Sequence, residues 1–107
     1  MPARLTSGAT LADLQRYVAE MEVERGFAEQ STLQKCLLLG EEVGELFKAV
    51  RETVGATPYD SEGYDPDAAG ELADVVIMVC SVANHLGIDL EDAFRAKEAI
   101  NETRSWD

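Results

Sequence analysis

The amino-acid sequence predicts an all-α fold, a four-helix bundle completed by homo-oligomerisation. Three observations carry that expectation. Apolar residues recur at helical spacing in four stretches, each opened by a capping residue and three of them closed by glycine. No segment alternates apolar and polar residues as a half-buried strand would. One of the four stretches is apolar on nearly every side, more than a small domain readily buries alone. The length of 107 residues fits one domain spanning 1–107, with 1–9 as a flexible N-terminus and 55–65 as a loop between the second and third helices. A hydrophobic content of 46% is too high for a disordered acidic chain, so the domain is expected to be folded.

The first helix starts at Thr10, an N-cap with Asp13 three residues on, as in a capping box. Leu11, Leu14, Val18, Met21 and Val23 form its stripe, and Gly26 ends it. Ser31 caps the second, with Gln34 at the box position. Its apolar residues are Leu33, Leu37, Val43, Leu46, Phe47, Val50 and Val54, and it stops at Gly55. Gly40 and Gly44 lie inside it, each weakening the helix by about 1 kcal/mol relative to Ala. Such glycines point to close packing against another helix or to room for a ligand. The long connection 55–65 carries Tyr59 and Tyr64, and reads equally as a substrate lid or as a plain connector.

Asp65 and Pro66 read as N-cap and first position of the third helix, which stops at Gly87. From Leu72 to Ala83 only Asp74 and Ser81 interrupt its apolar run, so this helix is expected near a subunit interface. The fourth helix begins at Asp89, with Asp92 three residues later, and extends to about Arg104.

Asp and Glu number 21 against 9 Lys and Arg, a formal net charge of −12. That field counts against nucleic-acid polymers and anionic membranes, though a phosphate ligand is compatible if something cationic mediates. Cys36 and Cys80 form no CxxC pair and sit in apolar helical stretches, so both are expected as buried free thiols. The N-terminus lacks an apolar signal core, and Leu72–Ala83 is shorter than the roughly 20 residues of a membrane span. A cytoplasmic protein is expected.

The chemistry concentrates in carboxylates. The second helix contains Glu41-Glu42-Val43-Gly44-Glu45 and the third Glu71-Leu72-Ala73-Asp74. Glu42 and Glu45 share a helix face, as do Glu71 and Asp74. If the two helices pack antiparallel, four carboxylates converge, and Asp74 within an apolar helix suggests that at least one acid is buried. Unneutralised, such a group carries raised pKa values. Oxygen-only donors without His or Cys favour Mg²⁺ or Mn²⁺. Two solvated acidic patches are the competing interpretation, and the apolar neighbours of Asp74 favour metal. His85 follows Val82 rather than a Glu at the ExxH spacing, which argues against a di-iron bundle.

Taken together, EExxE at Glu41–Glu45 and ExxD at Glu71–Asp74 resemble the all-α MazG-like nucleoside triphosphate pyrophosphohydrolases. The tail Lys97-x-x-x-Asn101-x-x-Arg104 followed by Trp106 is similar to that family's C-terminal pattern, and the likeness covers about residues 11–106. The resemblance implies that Glu42, Glu45, Glu71 and Asp74 ligate Mg²⁺, with Mn²⁺ as a substitute. Glu41 would orient or deprotonate the attacking water, or help hold a second metal. Lys97, Asn101 and Arg104 would contact phosphates or complete the site. It implies hydrolysis of an NTP or dNTP between the α and β phosphates, by a homodimer or a tetramer built from dimers.

The residues suit that chemistry, in which a cation neutralises phosphate oxygens and a carboxylate activates water. Lys35, two turns before Glu42 on the same face, is a further candidate for phosphate contact, and Lys48 is a weaker one. Phe27, Phe47, Tyr59, Tyr64 and Trp106 are the candidates for stacking a base. Two other readings stand beside the first. One is a non-enzymatic helical oligomer with a regulatory cation site. The other is a related enzyme such as a dimeric dUTPase or phosphoribosyl-ATP pyrophosphohydrolase.

Overall fold

Each helix begins where a side chain satisfies its first free N–H groups. In this computed structural model, residues 5–55 and 66–106 are described, and all four elements are α-helices: α1 (Leu11–Arg25), α2 (Thr32–Val54), α3 (Ala68–Leu86) and α4 (Leu90–Asn101). No described residue lies in a strand. Residues 1–4, Asp107 and 56–65, the last including Tyr59, Tyr64 and Asp65, lie outside the described residues, and with them most of the expected loop.

The capping box of α1 is complete: Asp13 N–H donates to Thr10 Oγ1 at 3.1 Å and Thr10 N–H to Asp13 Oδ2 at 2.9 Å. Ser31 and Gln34 repeat it on α2, at 2.7 and 3.1 Å. Gly26 and Gly55 close these helices with φ of +81° and +63°, the left-handed geometry that costs glycine least.

Two boundaries differ from the sequence expectation. Pro66 lies outside α3, whose cap is Asp67: its Oδ1 accepts from Gly70 N–H at 2.9 Å. α4 ends at Asn101 rather than near Arg104, because the chain turns there. Thr103 Oγ1 bonds back to Ile100 O at 2.7 Å, and Trp106 Nε1 donates to Asn101 O at 3.3 Å.

Compact packing divides the chain into two units, with the boundary inside α3 between Val79 and Cys80. The first comprises α1, the C-terminal part of α3 and α4. Val18, Met21, Cys80 and Ala83 are buried there. Beside them Gln15 is the centre of a polar clamp. Its Nε2 donates to Asn84 Oδ1 (3.1 Å) and Ile88 O (2.8 Å), while its Oε1 accepts from Leu90 N–H (2.9 Å). Asn84 Nδ2 returns a bond to Gln15 O at 2.9 Å. One amide thus ties α1 to the end of α3 and to the turn into α4. Each such bond is worth about 1 kcal/mol net, but leaving its partner unsatisfied costs more.

The second unit holds α2 and α3 as far as Val79. Lys35, Glu42 and Ala49, seven residues apart, form one row of α2. Lys35 and Ala49 are fully buried, and Lys35 Nζ donates to Gln30 Oε1 at 3.1 Å. The opposite row is apolar and open: Leu33, Leu37, Phe47 and Val54 are 67–70% exposed, with Gly40 and Gly44 in line between them. Among the described residues, nothing approaches the Cβ position of either glycine within 4 Å. Neither glycine therefore serves close packing against another described residue. Cys36 flanks the same open side and is exposed, contrary to expectation, whereas Cys80 is buried and its thiol pKa is pushed up by desolvation.

Leu72, Val76 and Val79 on α3 are also exposed, as expected of a helix too apolar for one small domain to cover. At 19 residues α3 is long and apolar enough, by length and composition alone, to cross a membrane, which the shorter Leu72–Ala83 count did not anticipate. A helix of a soluble bundle meets the same two criteria.

Candidate metal centre

The functional candidates meet within the second unit. Glu42 projects from the middle of α2, while Glu71 and Asp74 project from the first two turns of α3, one helical step apart. One carboxylate oxygen from each of the three lies within 4.8 Å of the others. Among the described residues this is the one group of three or more His, Cys, Asp and Glu side chains with such geometry. Opposite ligands of an octahedral Mg²⁺ stand about 4.2 Å apart, so oxygens at this spacing can be shared by one ion. The donors are all hard oxygens, the set that suits Mg²⁺ or Mn²⁺.

Electrostatics point the same way. Desolvation, and then the charges of Asp74, Glu71, Glu41 and Glu45, push the Glu42 pKa above the ordinary carboxylate range. Glu71 is raised too, by desolvation first and then by Asp74, Glu45 and Asp67. Every one of these neighbours is a carboxylate disfavouring the ionised form. A divalent cation at the centre reverses that balance.

Not all of the expected ligands converge. Glu45, one turn beyond Glu42, is close enough to act electrostatically on both Glu42 and Glu71 but stands outside the group of three. Glu41 is exposed beside Glu42. None of the acids is buried: Glu42 and Glu71 are half-exposed and Asp74 is exposed, because the turns of α3 that carry Asp74 are themselves open. Lys35 is buried with its ammonium on Gln30.

Lys97, Asn101 and Arg104 belong to the first unit. Lys97 is exposed on α4, and Asn101 Nδ2 donates to Glu98 Oε1 at 2.9 Å. Arg104 lies beyond the end of α4, so it does not share a helix face with Lys97, and its guanidinium sits 4.9 Å from the centre of the Trp106 ring. A groove of about 480 Å³ between α1 and α4 is lined by Leu11, Phe94 and Ala99, with Glu91, Glu98 and Glu102 outnumbering Arg95. That rim repels a triphosphate, and the groove contains none of the motif acids. Sequence reasoning missed one contributor, Asp67, which caps α3 and lies within electrostatic reach of Glu71. The available signal was an acid one helical turn before Glu71.

An all-α chain that brings carboxylates of two helices within reach of one cation has the makings of a divalent-metal centre. Residues 29–104 match the MazG nucleotide pyrophosphohydrolase domain, and the chain belongs to that family. It is 36% identical over 100 residues to a dATP/dGTP diphosphohydrolase of cyanophage S-2L, covering 92% of this chain and 79% of the relative. A second dATP/dGTP diphosphohydrolase, from Salmonella phage PMBT28, is 33% identical over 96% of this chain, which spans 30% of that longer protein. Among solved structures, the cyanophage S-2L MazG-like pyrophosphohydrolase, bound to dGDP and three catalytic Mn²⁺ ions per active site, superposes with a TM-score of 0.70. It shares 32% identity, with 95% of this chain and 87% of that one covered.

Proposed function

We propose that this chain is a divalent-metal-dependent hydrolase of purine deoxynucleoside triphosphates, cutting between the α and β phosphates to give the monophosphate and pyrophosphate. The observation that carries this reading is the convergence of Glu42, Glu71 and Asp74 in a MazG-family chain. The purine preference rests on the likeness to proteins named for dATP and dGTP.

Glu42, Glu71 and Asp74 hold the cation, with Glu45 completing its shell or that of a second ion. Bound there, Mg²⁺ or Mn²⁺ supplies positive charge against the phosphate oxygens and makes a nearby water more acidic. Glu41, exposed and beside Glu42, accepts the proton of the attacking water. Lys97, Asn101 and Arg104 are the candidates for phosphate contact that the family resemblance implies. Lys35, on the same row of α2 as Glu42 and with its Nζ donating to Gln30 Oε1, is the further candidate for phosphate contact. The exposed row Leu33, Leu37, Gly40, Gly44, Phe47 and Val54 supports assembly as a homodimer, or as a tetramer of dimers. A cytoplasmic enzyme that acts on free nucleotides and avoids nucleic-acid polymers fits the charge of −12.

The test is a panel of the common dNTPs and NTPs with Mg²⁺ or Mn²⁺, products separated by ion-exchange chromatography. Monophosphate plus pyrophosphate from dATP or dGTP is expected. Release of diphosphate and orthophosphate would move the cleaved bond to β–γ. No turnover of any nucleotide would leave the cluster as a regulatory cation site.

A further inference from the structure

The single tryptophan of the chain stands outside the core, yet its ring is held in place. Just past α4 the backbone hooks back on itself. Arg104 N–H and Trp106 Nε1 both donate to Asn101 O, at 3.1 and 3.3 Å. Thr103 N–H and Oγ1 both donate to Ile100 O, at 3.1 and 2.7 Å. The hook sets the Arg104 guanidinium over one face of the indole, 4.9 Å from the ring centre. Trp106 nevertheless stays 70% exposed, so burial of apolar surface does not account for this order.

Charge sets this aromatic apart from the others. Arg104 is exposed and, among the described residues, makes no ion pair. In a chain of formal charge −12 the hook thus keeps an unneutralised cation against a stacking surface. Phe47 and Phe94 are about as exposed, but Phe47 shares its row with Leu33 and Leu37, and Phe94 lines a groove with Glu91, Glu98 and Glu102. An open aromatic face beside an unpaired guanidinium is the combination that suits a base carrying phosphates. We propose that Trp106 is a base-stacking residue for a purine nucleotide, with the base on the indole face that Arg104 leaves open. This deepens the reading of the chain as a purine-nucleotide hydrolase and rests on it.

With no other tryptophan in the chain, indole emission reports on Trp106 alone. The full chain with Mg²⁺ is titrated with α,β-methylene analogues of dGTP, dATP and dCTP, and with inorganic tripolyphosphate as the baseless probe. Free N-acetyltryptophanamide corrects for absorbed light. The two purine analogues are expected to quench the emission saturably, dCTP analogue more weakly because its ring covers less of the indole, and tripolyphosphate not at all. Turnover of dATP and dGTP is then followed in Trp106→Ala, Trp106→Leu and Trp106→Phe, with far-UV circular dichroism as the check on folding. Loss of a base–aromatic stack is expected to raise KM about tenfold or more in Trp106→Ala and Trp106→Leu. In both, kcat should stay within about twofold, since a stacked base binds ground and transition states alike. Trp106→Phe keeps an aromatic face and is expected within about threefold of wild type.

An unchanged KM in Trp106→Ala would overturn the proposal. So would a Trp106→Leu protein as good as Trp106→Phe, which would make bulk rather than stacking the requirement. Quenching by tripolyphosphate equal to that by the purine analogues would trace the response to charge at Arg104, and would overturn it too. Wild-type protein that turns over dGTP with no change in emission would leave the hydrolase reading standing and free the indole for a protein partner instead. Quenching by purine analogues without turnover of any nucleotide would do the reverse, sinking the hydrolase reading and keeping Trp106 as a nucleotide-binding residue.

Discussion

The two units of the chain treat their polar groups in opposite ways. In the first, Gln15 and Asn84 satisfy one another and the backbone of the α3–α4 turn, donor against acceptor. In the second, Glu42, Glu71 and Asp74 crowd one another, and Glu41 and Glu45 add repulsion. Complete pairing makes the first arrangement stable as it stands. The second is poised for a cation that the protein must take from solution. The clamp of the first unit is thereby distinct from the crowded acids of the second, and substitutions at Gln15 and at Glu42 are expected to separate stability from activity.

The largest effect is expected at the cluster. Glu42→Gln or Asp74→Asn should lower turnover by about 1,000-fold or more, the scale of several kcal/mol of lost charge stabilisation. Metal-free thermal stability should stay level or rise, because a repelling charge has been removed. Turnover and calorimetric melting of the same samples check both halves, and a fall in metal-free stability would erase the contrast between the units.

Next comes the clamp. Gln15→Ala strands Leu90 N–H and the acceptors of Asn84 and Ile88, at a cost of about 3 kcal/mol. For a chain of this size that corresponds to roughly 10–20 °C in Tm. Metal affinity at low temperature should not change. A Gln15→Ala protein that melts normally but binds Mn²⁺ poorly would invert the assignment.

A smaller effect concerns the open row of α2. Phe47→Ser should weaken self-association by about tenfold or more, since burying a phenylalanine is worth about 1.5–3 kcal/mol. Sedimentation equilibrium measures it, and an unchanged dissociation constant would remove this row from the interface.

The smallest effect is a difference in sign with pH. Asp13 lies below its ordinary pKa, held there by the Thr10 N–H and hydroxyl and then by Arg16. Its contribution is present above the unfolded pKa of 3.8 and is lost as pH falls through the folded value. Glu42 lies above its ordinary 4.5. The folded state therefore keeps a proton the unfolded chain has released, and repulsion at Glu42 penalises folding once pH rises through the folded value. In metal-free protein, Asp13→Ala should lower stability at neutral pH, with the gap closing only in strong acid. Glu42→Gln should raise stability at neutral pH, with the gap closing as pH falls toward the ordinary carboxylate range. Two melting series over pH check this, and matching signs would contradict it.

What could be read from the sequence follows the range of the interactions. The caps of α1 and α2 were legible because Thr10 with Asp13, and Ser31 with Gln34, are contacts three residues apart between groups of known preference. The start of α3 was harder, since Asp65 and Asp67 both offer a capping carboxylate. The folded backbone selects Asp67, whose Oδ1 accepts from Gly70 N–H, and the spacing alone does not distinguish it. The end of α4 depends on Trp106 folding back onto Asn101, which no periodicity announces. Glu42, Glu71 and Asp74 were legible as two spacings, but Glu45 shares the same spacing and stands apart, so only the packing distinguishes them. The Gln15–Asn84 pair joins residues 69 apart and left no trace in the sequence.

The open row of α2 also has a bearing on how this protein responds to salt. Two copies meeting along Leu33, Leu37, Phe47 and Val54 would each carry a formal charge of −12. Their mutual repulsion is screened beyond about 8 Å at physiological ionic strength and reaches much farther in dilute buffer. Added salt would therefore strengthen such an association, opposite to its effect on a protein that grips nucleic acid. A divalent ion held by Glu42, Glu71 and Asp74 would also offset two negative charges of its chain. Metal loading and ionic strength would then act as two settings of one control, both favouring an assembled form.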